Sequence, residues 1–222
     1  MLKINFSAFT VDFVKEIVDD WDEKNWASNF GENSYGYICP LDIKINGKRI
    51  TLPDDGPYGT MGYAVGDTLK NINNSFCVLL IKGEAVVVFN RPDLLKMKIV
   101  DDKILFTNEK IRRPELQVAV KDEPANLIQA VEEVIKAKDK YKEICLKAAK
   151  KIKPKEIDNF MRIALLERKI KDSDLISNDN ANPFWIDLRD VWLDYKKQHN
   201  ITDEDVKKAI AGEEKDKISR IL

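Results

Sequence analysis

Short segments in which apolar and polar residues alternate follow one another through residues 1–122. Leu2, Ile4 and Phe6 lie two positions apart, which predicts a strand with one buried face. The strongest local signal is the pair Asn46-Gly47 between two such segments. Because a two-residue type I′ turn needs positive φ at both positions, this pair predicts the turn of a β-hairpin.

Residues 63–89 show a different pattern. Residues 63–73 are predicted to form a short helix that ends at Asn73-Asn74. Nearly continuous apolar runs follow at residues 76–81 and 85–89, separated by Lys82-Gly83-Glu84. Such runs are typical of strands buried on both faces, so we predict a hairpin of two central strands.

Two more strand signals complete this half. Alternating residues on either side of Asp101-Asp102 predict another hairpin, and residues 116–120 predict a last strand. The connections between these segments are too short for crossovers, so the sheet is predicted to be mostly antiparallel.

From Pro124 onward the period changes, and apolar residues recur three or four positions apart. This spacing predicts a long amphipathic helix with Asp122 as its N-cap. The predicted apolar stripe consists of Leu127, Val131, Val134, Tyr141, Cys145, Ala148 and Ile152.

Further helices are predicted after this one. Pro154 and Pro183 mark the first turns of two of them, because proline is accepted at the start of a helix and disruptive in its interior. Thr202 and Asp205 resemble a capping box at a helix start, and Gly212 is predicted to stop a helix before a short C-terminal helix with Ile218, Ile221 and Leu222.

These patterns together predict an α+β fold. A mostly antiparallel N-terminal sheet with one or two short helices is followed by a C-terminal region of about four helices. We predict a strand-rich domain over residues 1–122 and a helical region over residues 123–222. The helical region is expected to pack on the sheet or to form a small subdomain.

The composition is that of a folded globular protein. The 222 residues are 44% hydrophobic and 34% charged. A formal net charge of −1 gives no global attraction to nucleic acid or to an anionic membrane. Any electrostatic partner is therefore expected to recognise a local patch.

The sequence also predicts a location. The first residues alternate without the apolar core of a signal peptide, and no apolar run is long enough to span a membrane. The three cysteines, Cys39, Cys77 and Cys145, are irregularly spaced and are expected to be reduced. A cytoplasmic protein without membrane contact is predicted.

Few residues suggest catalysis. His199 is the only histidine, so a zinc site with several imidazole ligands within one chain is excluded. Asp93 followed by Asp101-Asp102-Lys103 matches, superficially, the acidic and lysine set of metal-dependent nucleases. Asp101-Asp102 is better interpreted as a solvent-exposed hairpin turn. We predict no catalytic residue, no metal site and no cofactor, and keep a carboxylate-dependent metal nuclease or hydrolase as an alternative.

The preferred candidate site is the loop at residues 53–62, which is rich in glycine and proline. A turn-rich surface loop is the simplest interpretation. As a contact loop, it would offer the charges of Asp54 and Asp55 to a basic partner, with Tyr58 and Tyr63 supplying rigid amphipathic area.

A lysine-rich stretch of the second half gives an alternative site. A solvated helix face explains the lysines, and a face that contacts the phosphates of nucleic acid is the functional interpretation. The residues proposed for that contact are Lys147, Lys150, Lys151, Lys153 and Lys155.

A small α+β chain without a catalytic set resembles, in general character, the adaptor and immunity-type proteins of bacterial conflict systems. The resemblance implies a non-catalytic protein that binds or inhibits another protein. That function is our prediction, and nucleic-acid contact through the lysine-rich face is the first alternative.

Overall fold

The computed structural model describes residues 1–7, 10–12, 14, 38–39, 41–51, 63–88, 94–108, 118–150 and 187–219. Within these ranges it contains nine strands and four helices. In chain order they are β1 (Leu2–Asn5), β2 (Ile38–Cys39), β3 (Asp42–Ile45), β4 (Lys48–Arg49), β5 (Tyr63–Ala64), α1 (Val65–Lys82), β6 (Glu84–Val88), β7 (Leu94–Val100), β8 (Lys103–Asn108), β9 (Val120–Asn126), α2 (Leu127–Ala149), α3 (Leu188–Gln198) and α4 (Asp203–Ser219). The α+β class is confirmed.

All strand pairs in the described residues are antiparallel, as predicted. They form a three-stranded sheet in the order β1-β3-β4, a two-stranded sheet of β2 and β5, and a four-stranded sheet in the order β6-β7-β8-β9. Strand β6 therefore lies at an edge of its sheet, which corrects the prediction that it is central.

The predicted hairpin at Asn46-Gly47 is confirmed. Ile45 pairs with Lys48, and the two turn residues have φ of 49° and 82°, as a type I′ turn requires. The Asn46 side-chain amide also donates to the Pro124 carbonyl at 2.8 Å. This turn therefore joins the three-stranded sheet to β9. The hairpin turn at Asp101-Asp102, between β7 and β8, is confirmed as well.

The largest correction concerns helix α1. The apolar run at residues 76–81, predicted to be a strand, is the second half of this helix. The prediction failed because this run contains no polar residue, so it lacks the polar face that makes a helical period visible. Asn73-Asn74 lies inside the helix, which ends instead before Gly83, at φ 79°. Gly83 N donates to the Leu79 carbonyl at 2.8 Å.

The start of α2 is also corrected. Strand β9 continues past Asp122 and Pro124, and the helix begins at Leu127. Its N-cap is Asn126, whose side chain accepts a hydrogen bond from Gln129 N at 3.1 Å. Pro124 is tolerated in β9 because this strand lies at a sheet edge. The apolar stripe of α2 is confirmed from Leu127 to Ala148.

Helices α3 and α4 follow the sequence signals in part. The residues predicted to follow Pro154 lie outside the described ranges, and the helix predicted from Pro183 is described from Leu188. The capping box is confirmed: Thr202 N donates to the Asp205 carboxylate at 2.9 Å, and Asp205 N donates to the Thr202 hydroxyl at 3.1 Å. The stop at Gly212 is wrong, because α4 continues to Ser219; an interior glycine weakens a helix by only about 1 kcal/mol.

One buried cluster contains apolar residues of the strands and of α1, α2 and α3. Helix α2 packs on β1, α1 and α3. Its contact with β1 includes a hydrogen bond from Ile4 N to Glu133 at 3.1 Å, and the Lys140 ammonium lies 4.9 Å from the centre of the Phe6 ring. The division into domains at residues 1–122 and 123–222 stays a prediction. Among the helices of the described ranges, none has the length and apolarity to cross a membrane.

Candidate functional site

The predicted contact loop is described only at its two ends. Asp54, Asp55 and Tyr58 lie outside the described residues, and Tyr63 is the one candidate whose backbone the structure describes. The sequence predicted that Tyr63 begins a helix, and this prediction is wrong. It belongs to β5 and pairs with Cys39.

Both ends of this loop are attached to buried structure. Before it, Ile50 and Thr51 are each only 1% exposed, and the Thr51 hydroxyl accepts a hydrogen bond from Ile43 N at 2.9 Å. After it, β5 leads directly into α1, whose first residue, Val65, is fully buried. Buried residues, Thr51 and Val65, therefore lie on either side of the predicted loop.

The start of α1, which follows the predicted loop, packs closely on α2. A Cβ atom added at Gly66 would lie 2.5 Å from the hydroxyl of Tyr141, a residue of α2 that is 6% exposed. The absence of a side chain at Gly66 is thus what lets the start of α1 approach α2.

The strands that lead into the loop carry their own charge pairs. Asp42 accepts from Arg49 at 2.7 Å and lies 3.1 Å from the Lys44 ammonium. The Arg49 carbonyl accepts from Val118 N at 3.0 Å. These contacts hold β3 and β4 together. The acids that belong to the loop sequence itself are Asp54 and Asp55.

The lysine-rich candidate face is described at Lys147 and Lys150, and both are exposed. Lys151, Lys153 and Lys155 lie outside the described residues. Lys147 forms an ion pair with Glu143, whose pKa the hydrogen bond from Lys147 lowers. The described part of this face therefore mixes lysines with paired acids.

The acidic residues considered for a metal nuclease do not converge in the described part of the chain. Asp101 has φ of 55° at the exposed β7–β8 turn, and the Asp102 carbonyl accepts from Leu127 N at 2.9 Å. Asp93 lies outside the described ranges. Within those ranges, no group of three residues of the types His, Cys, Asp and Glu is placed to hold a metal ion.

The described thiols are poor candidates for nucleophiles. Cys77 and Cys145 are free and fully buried. Burial raises the pKa of Cys77 to about 11 and that of Cys145 to about 12. A thiol that stays protonated at neutral pH lacks the thiolate that attacks a substrate.

The only histidine of the sequence, His199, lies at the end of a helix. His199 is the C-cap residue of α3, and its ring stacks on Tyr195 with the ring centres 4.1 Å apart. Tyr195 in turn stacks on Trp192 at 5.8 Å, and Trp192 Nε1 donates to Glu132 at 2.8 Å. These aromatics attach α3 to α2.

A polar cluster between α1, α2 and α3 was missed from the sequence. The Asn73 side-chain oxygen accepts from Leu188 N at 3.3 Å and from the Lys138 ammonium at 3.2 Å. Lys138 also pairs with Asp187, the N-cap of α3. Burial alone would raise the pKa of Asp187, but the hydrogen bonds from Lys138 and Arg189 N outweigh it and lower the pKa.

This cluster explains why Asn73 occupies the interior of a helix. Asn73 and Asn74 are 7% and 4% exposed, so the pair that resembled a helix end is part of the protein interior. Asn73 and Leu188 are separated by 115 positions in the chain. An asparagine flanked by apolar residues on a helical period is the one local signal that points to such a buried contact.

A comparison of the chain with protein-family models, with curated proteins and with solved structures finds no match.

Proposed function

We propose that this chain is a non-catalytic protein of the adaptor or immunity type, which holds or neutralises another protein in the cytoplasm. The loop at residues 53–62 makes the contact. Asp54 and Asp55 supply charge for a basic surface of the partner, and Tyr58 and Tyr63 supply amphipathic area.

The observation that supports this proposal is the attachment of the loop at both ends. Thr51 is buried and hydrogen-bonded before the loop, and the β5–α1 connection follows it. Binding residues in proteins concentrate on loops that a rigid scaffold holds in position. A loop with fixed ends also loses less conformational freedom when it binds.

The test is recovery of a partner protein from the native host by the tagged chain. The triple variant Asp54→Ala, Asp55→Ala, Tyr58→Ala is expected to recover at least about tenfold less partner than the unmodified chain, because a few central contacts dominate most interfaces. The matched control is Asp101→Ala, Asp102→Ala, which removes another exposed acidic turn. Unchanged recovery by the triple variant would contradict the loop assignment.

Nucleic-acid contact is the alternative function, and one observation favours it. Lys136, Lys140, Lys147 and Lys150 are all exposed, and their spacing places them along one side of α2 over about 21 Å. Glu143 interrupts this row and pairs with Lys147.

If this row contacts phosphates, duplex DNA will bind the protein with an affinity that falls steeply as salt rises. Replacing Lys136, Lys140 and Lys150 by Glu would then abolish binding. Absence of any mobility shift at low salt would end this alternative.

A further inference from the structure

The turn at Asn46-Gly47, between β3 and β4, has a chemical reactivity that the function proposed above does not use. An asparagine followed by a glycine is especially prone to deamidation, because glycine has no side chain to shield its backbone nitrogen. Both residues are exposed, and a Cβ atom added at Gly47 would meet no atom within 4 Å. Water therefore has access to the pair.

Deamidation at this pair needs only water as a co-reactant. The Gly47 nitrogen loses its proton and attacks Cγ of Asn46, the new N–Cγ bond closes a succinimide ring, and the Cγ–Nδ2 bond breaks. The leaving nitrogen takes up a proton and departs as ammonia. Water then opens the ring at one of its two carbonyls. The product is either aspartate or isoaspartate, in which the backbone runs through the former side chain.

The folded turn opposes the attack of the Gly47 nitrogen. Asn46 and Gly47 have φ of 49° and 82°, and a type I′ turn holds ψ of its first central residue at about +30°. At that ψ the Gly47 nitrogen lies on the opposite side of the Cα–C bond from the Asn46 side chain. Ring closure therefore requires the turn to open.

Hydrogen bonds also fix the side chain of Asn46. Its amide nitrogen donates to Glu123 at 2.8 Å and to the Pro124 carbonyl at 2.8 Å. Its amide oxygen accepts from the Met1 amino group, and Asn46 N donates to the Met1 carbonyl at 2.8 Å. Contacts with β9 must therefore break before the side chain can turn toward Gly47.

Neither product of deamidation can form the same contacts. Aspartate has an acceptor oxygen in place of the amide nitrogen that donates to Glu123 and Pro124. The neighbouring Lys48 ammonium already pairs with the Glu123 carboxylate, so a second carboxylate competes for it. Isoaspartate adds a methylene group to the backbone of a turn that joins the paired residues Ile45 and Lys48. The reaction therefore weakens the attachment of this turn to β9.

We propose that Asn46 is a deamidation site that the folded hairpin suppresses. The reaction acts as a one-way switch, because a turn that has opened and reacted can no longer re-form its original contacts with β9. The site lies on a different segment from the loop at residues 53–62. The inference therefore does not depend on the function proposed for that loop, and recovery of a partner by that loop is judged on its own variants.

The first experiment measures the rate of deamidation of the full chain at mildly alkaline pH, with and without enough guanidinium chloride to unfold it. Peptide mapping by mass spectrometry follows the mass change at Asn46 as NH₂ is replaced by OH. We expect the reaction to be at least about tenfold faster in the unfolded chain, because opening limits the reactions of protected groups. Equal rates would overturn the protection by the turn, and no reaction in the unfolded chain would overturn the site.

The variant Glu123→Ala tests whether contact with β9 contributes to the protection. It removes one acceptor of the Asn46 amide and the ion-pair partner of Lys48. The rate in the folded chain is expected to rise at least about threefold, because the turn opens more often. The matched control is Glu84→Ala, which removes an exposed acid of β6 and is expected to change the rate less than about twofold.

The unfolded variants provide an internal reference for the chemistry itself. Neither Glu84 nor Glu123 is close to Asn46 in the sequence, so both variants and the unmodified chain should deamidate at the same rate in denaturant. A folded-state rate of Glu123→Ala equal to that of Glu84→Ala would overturn the part assigned to β9.

The last experiment examines the deamidated chain, which ion exchange separates by its added negative charge. Its urea midpoint is expected to lie below that of the unmodified chain, and Asn46→Asp is expected to reproduce the effect of the aspartate product. Asn200→Asp is the matched control, because Asn200 is also exposed and has a positive φ, 54°. Equal midpoints of the deamidated and unmodified chains would overturn the switch, whatever the rates of deamidation.

Discussion

The two long helices, α1 and α2, differ in how much of each is in contact with water. Helix α1 packs against β6, α2 and α3, and only a narrow part of its surface is exposed. Helix α2 buries one stripe and exposes a row of lysines on the other side. A helical period is visible in a sequence only where polar and apolar faces differ. This difference explains why the apolar stripe of α2 was predicted correctly and the apolar second half of α1, residues 76–81, was not.

The largest expected effect comes from the buried side of α1. Phe76 is 1% exposed, and Phe76→Ala is expected to lower the free energy of unfolding by about 3–5 kcal/mol, from lost transfer energy and the cavity. The control is Leu146→Ala on α2, where the side chain is 39% exposed and a loss below about 1 kcal/mol is expected. Urea denaturation followed by circular dichroism measures both. Equal losses would mean that α1 and α2 are not buried differently.

The polar contact of α1 gives the next largest effect. Asn73→Ala removes the acceptor that Leu188 N and the Lys138 ammonium share. We expect this change to lower the free energy of unfolding by about 1–3 kcal/mol. Combined with Lys138→Met in a double-mutant cycle, the two changes should be less than additive, because they share one hydrogen bond. Strict additivity would show that Asn73 and Lys138 do not interact in solution.

The sequence predicts those elements that local chemistry determines. The turns at Asn46-Gly47 and Asp101-Asp102, the capping box at Thr202 and the stripe of α2 each depend on residues close together in the chain, and each is confirmed. Helix α1 depends on what packs around it, and the start of α2 depends on the pairing of β9 with β8 as far as Asn126. An apolar run of six residues suits a buried strand and a buried helix equally well.

The candidate sites also divide into those that local sequence reveals and those that depend on contacts between distant segments. A loop such as residues 53–62 is recognisable from its glycines and prolines, and its role as a contact stays a prediction. The edge position of β6 is not recognisable from the sequence, because strand order depends on how distant segments pair and not on the sequence of any one of them. The Asn73 cluster likewise joins residues that are far apart in the chain.

The contact between α1 and α2 can be tested at Gly66, where α1 lies close to α2. In an exposed helix, Gly66→Ala would stabilise by about 1 kcal/mol. Here the added Cβ meets the Tyr141 hydroxyl at 2.5 Å, and overpacking of a rigid core costs about 1–3 kcal/mol. We therefore expect a net loss of about 1 kcal/mol in urea denaturation.

Removing the Tyr141 hydroxyl shows whether its overlap with the added Cβ causes the loss of stability in Gly66→Ala. With Tyr141→Phe in the background, the nearest atom to the new Cβ is a ring carbon at 3.1 Å. The loss caused by Gly66→Ala is then expected to be smaller than in the presence of Tyr141. A stabilising effect of Gly66→Ala alone would show that α1 and α2 are packed less closely than described.

The smallest expected effect compares a thiol of each helix. Burial raises the pKa of Cys145 in α2 from 9.0 to about 12, although a hydrogen bond with Tyr141 opposes the shift. In the unfolded chain the thiol ionises first, so its contribution to stability is complete below pH 9.0 and is lost as the pH rises toward the folded-state pKa. From about pH 8 to about pH 10, this loss is on the order of 1 kcal/mol.

Replacing Cys145 by alanine should therefore make the free energy of unfolding fall less steeply across this alkaline range. Cys77→Ala in α1 is the matched variant, because burial raises the pKa of Cys77 in the same direction, to about 11. If both variants flatten the pH dependence, the buried side of α2 excludes water as completely as α1 does, and the two helices differ only in their outer faces. If Cys145→Ala leaves the slope unchanged while Cys77→Ala reduces it, water reaches the inner side of α2, and the contrast between the helices extends into the core.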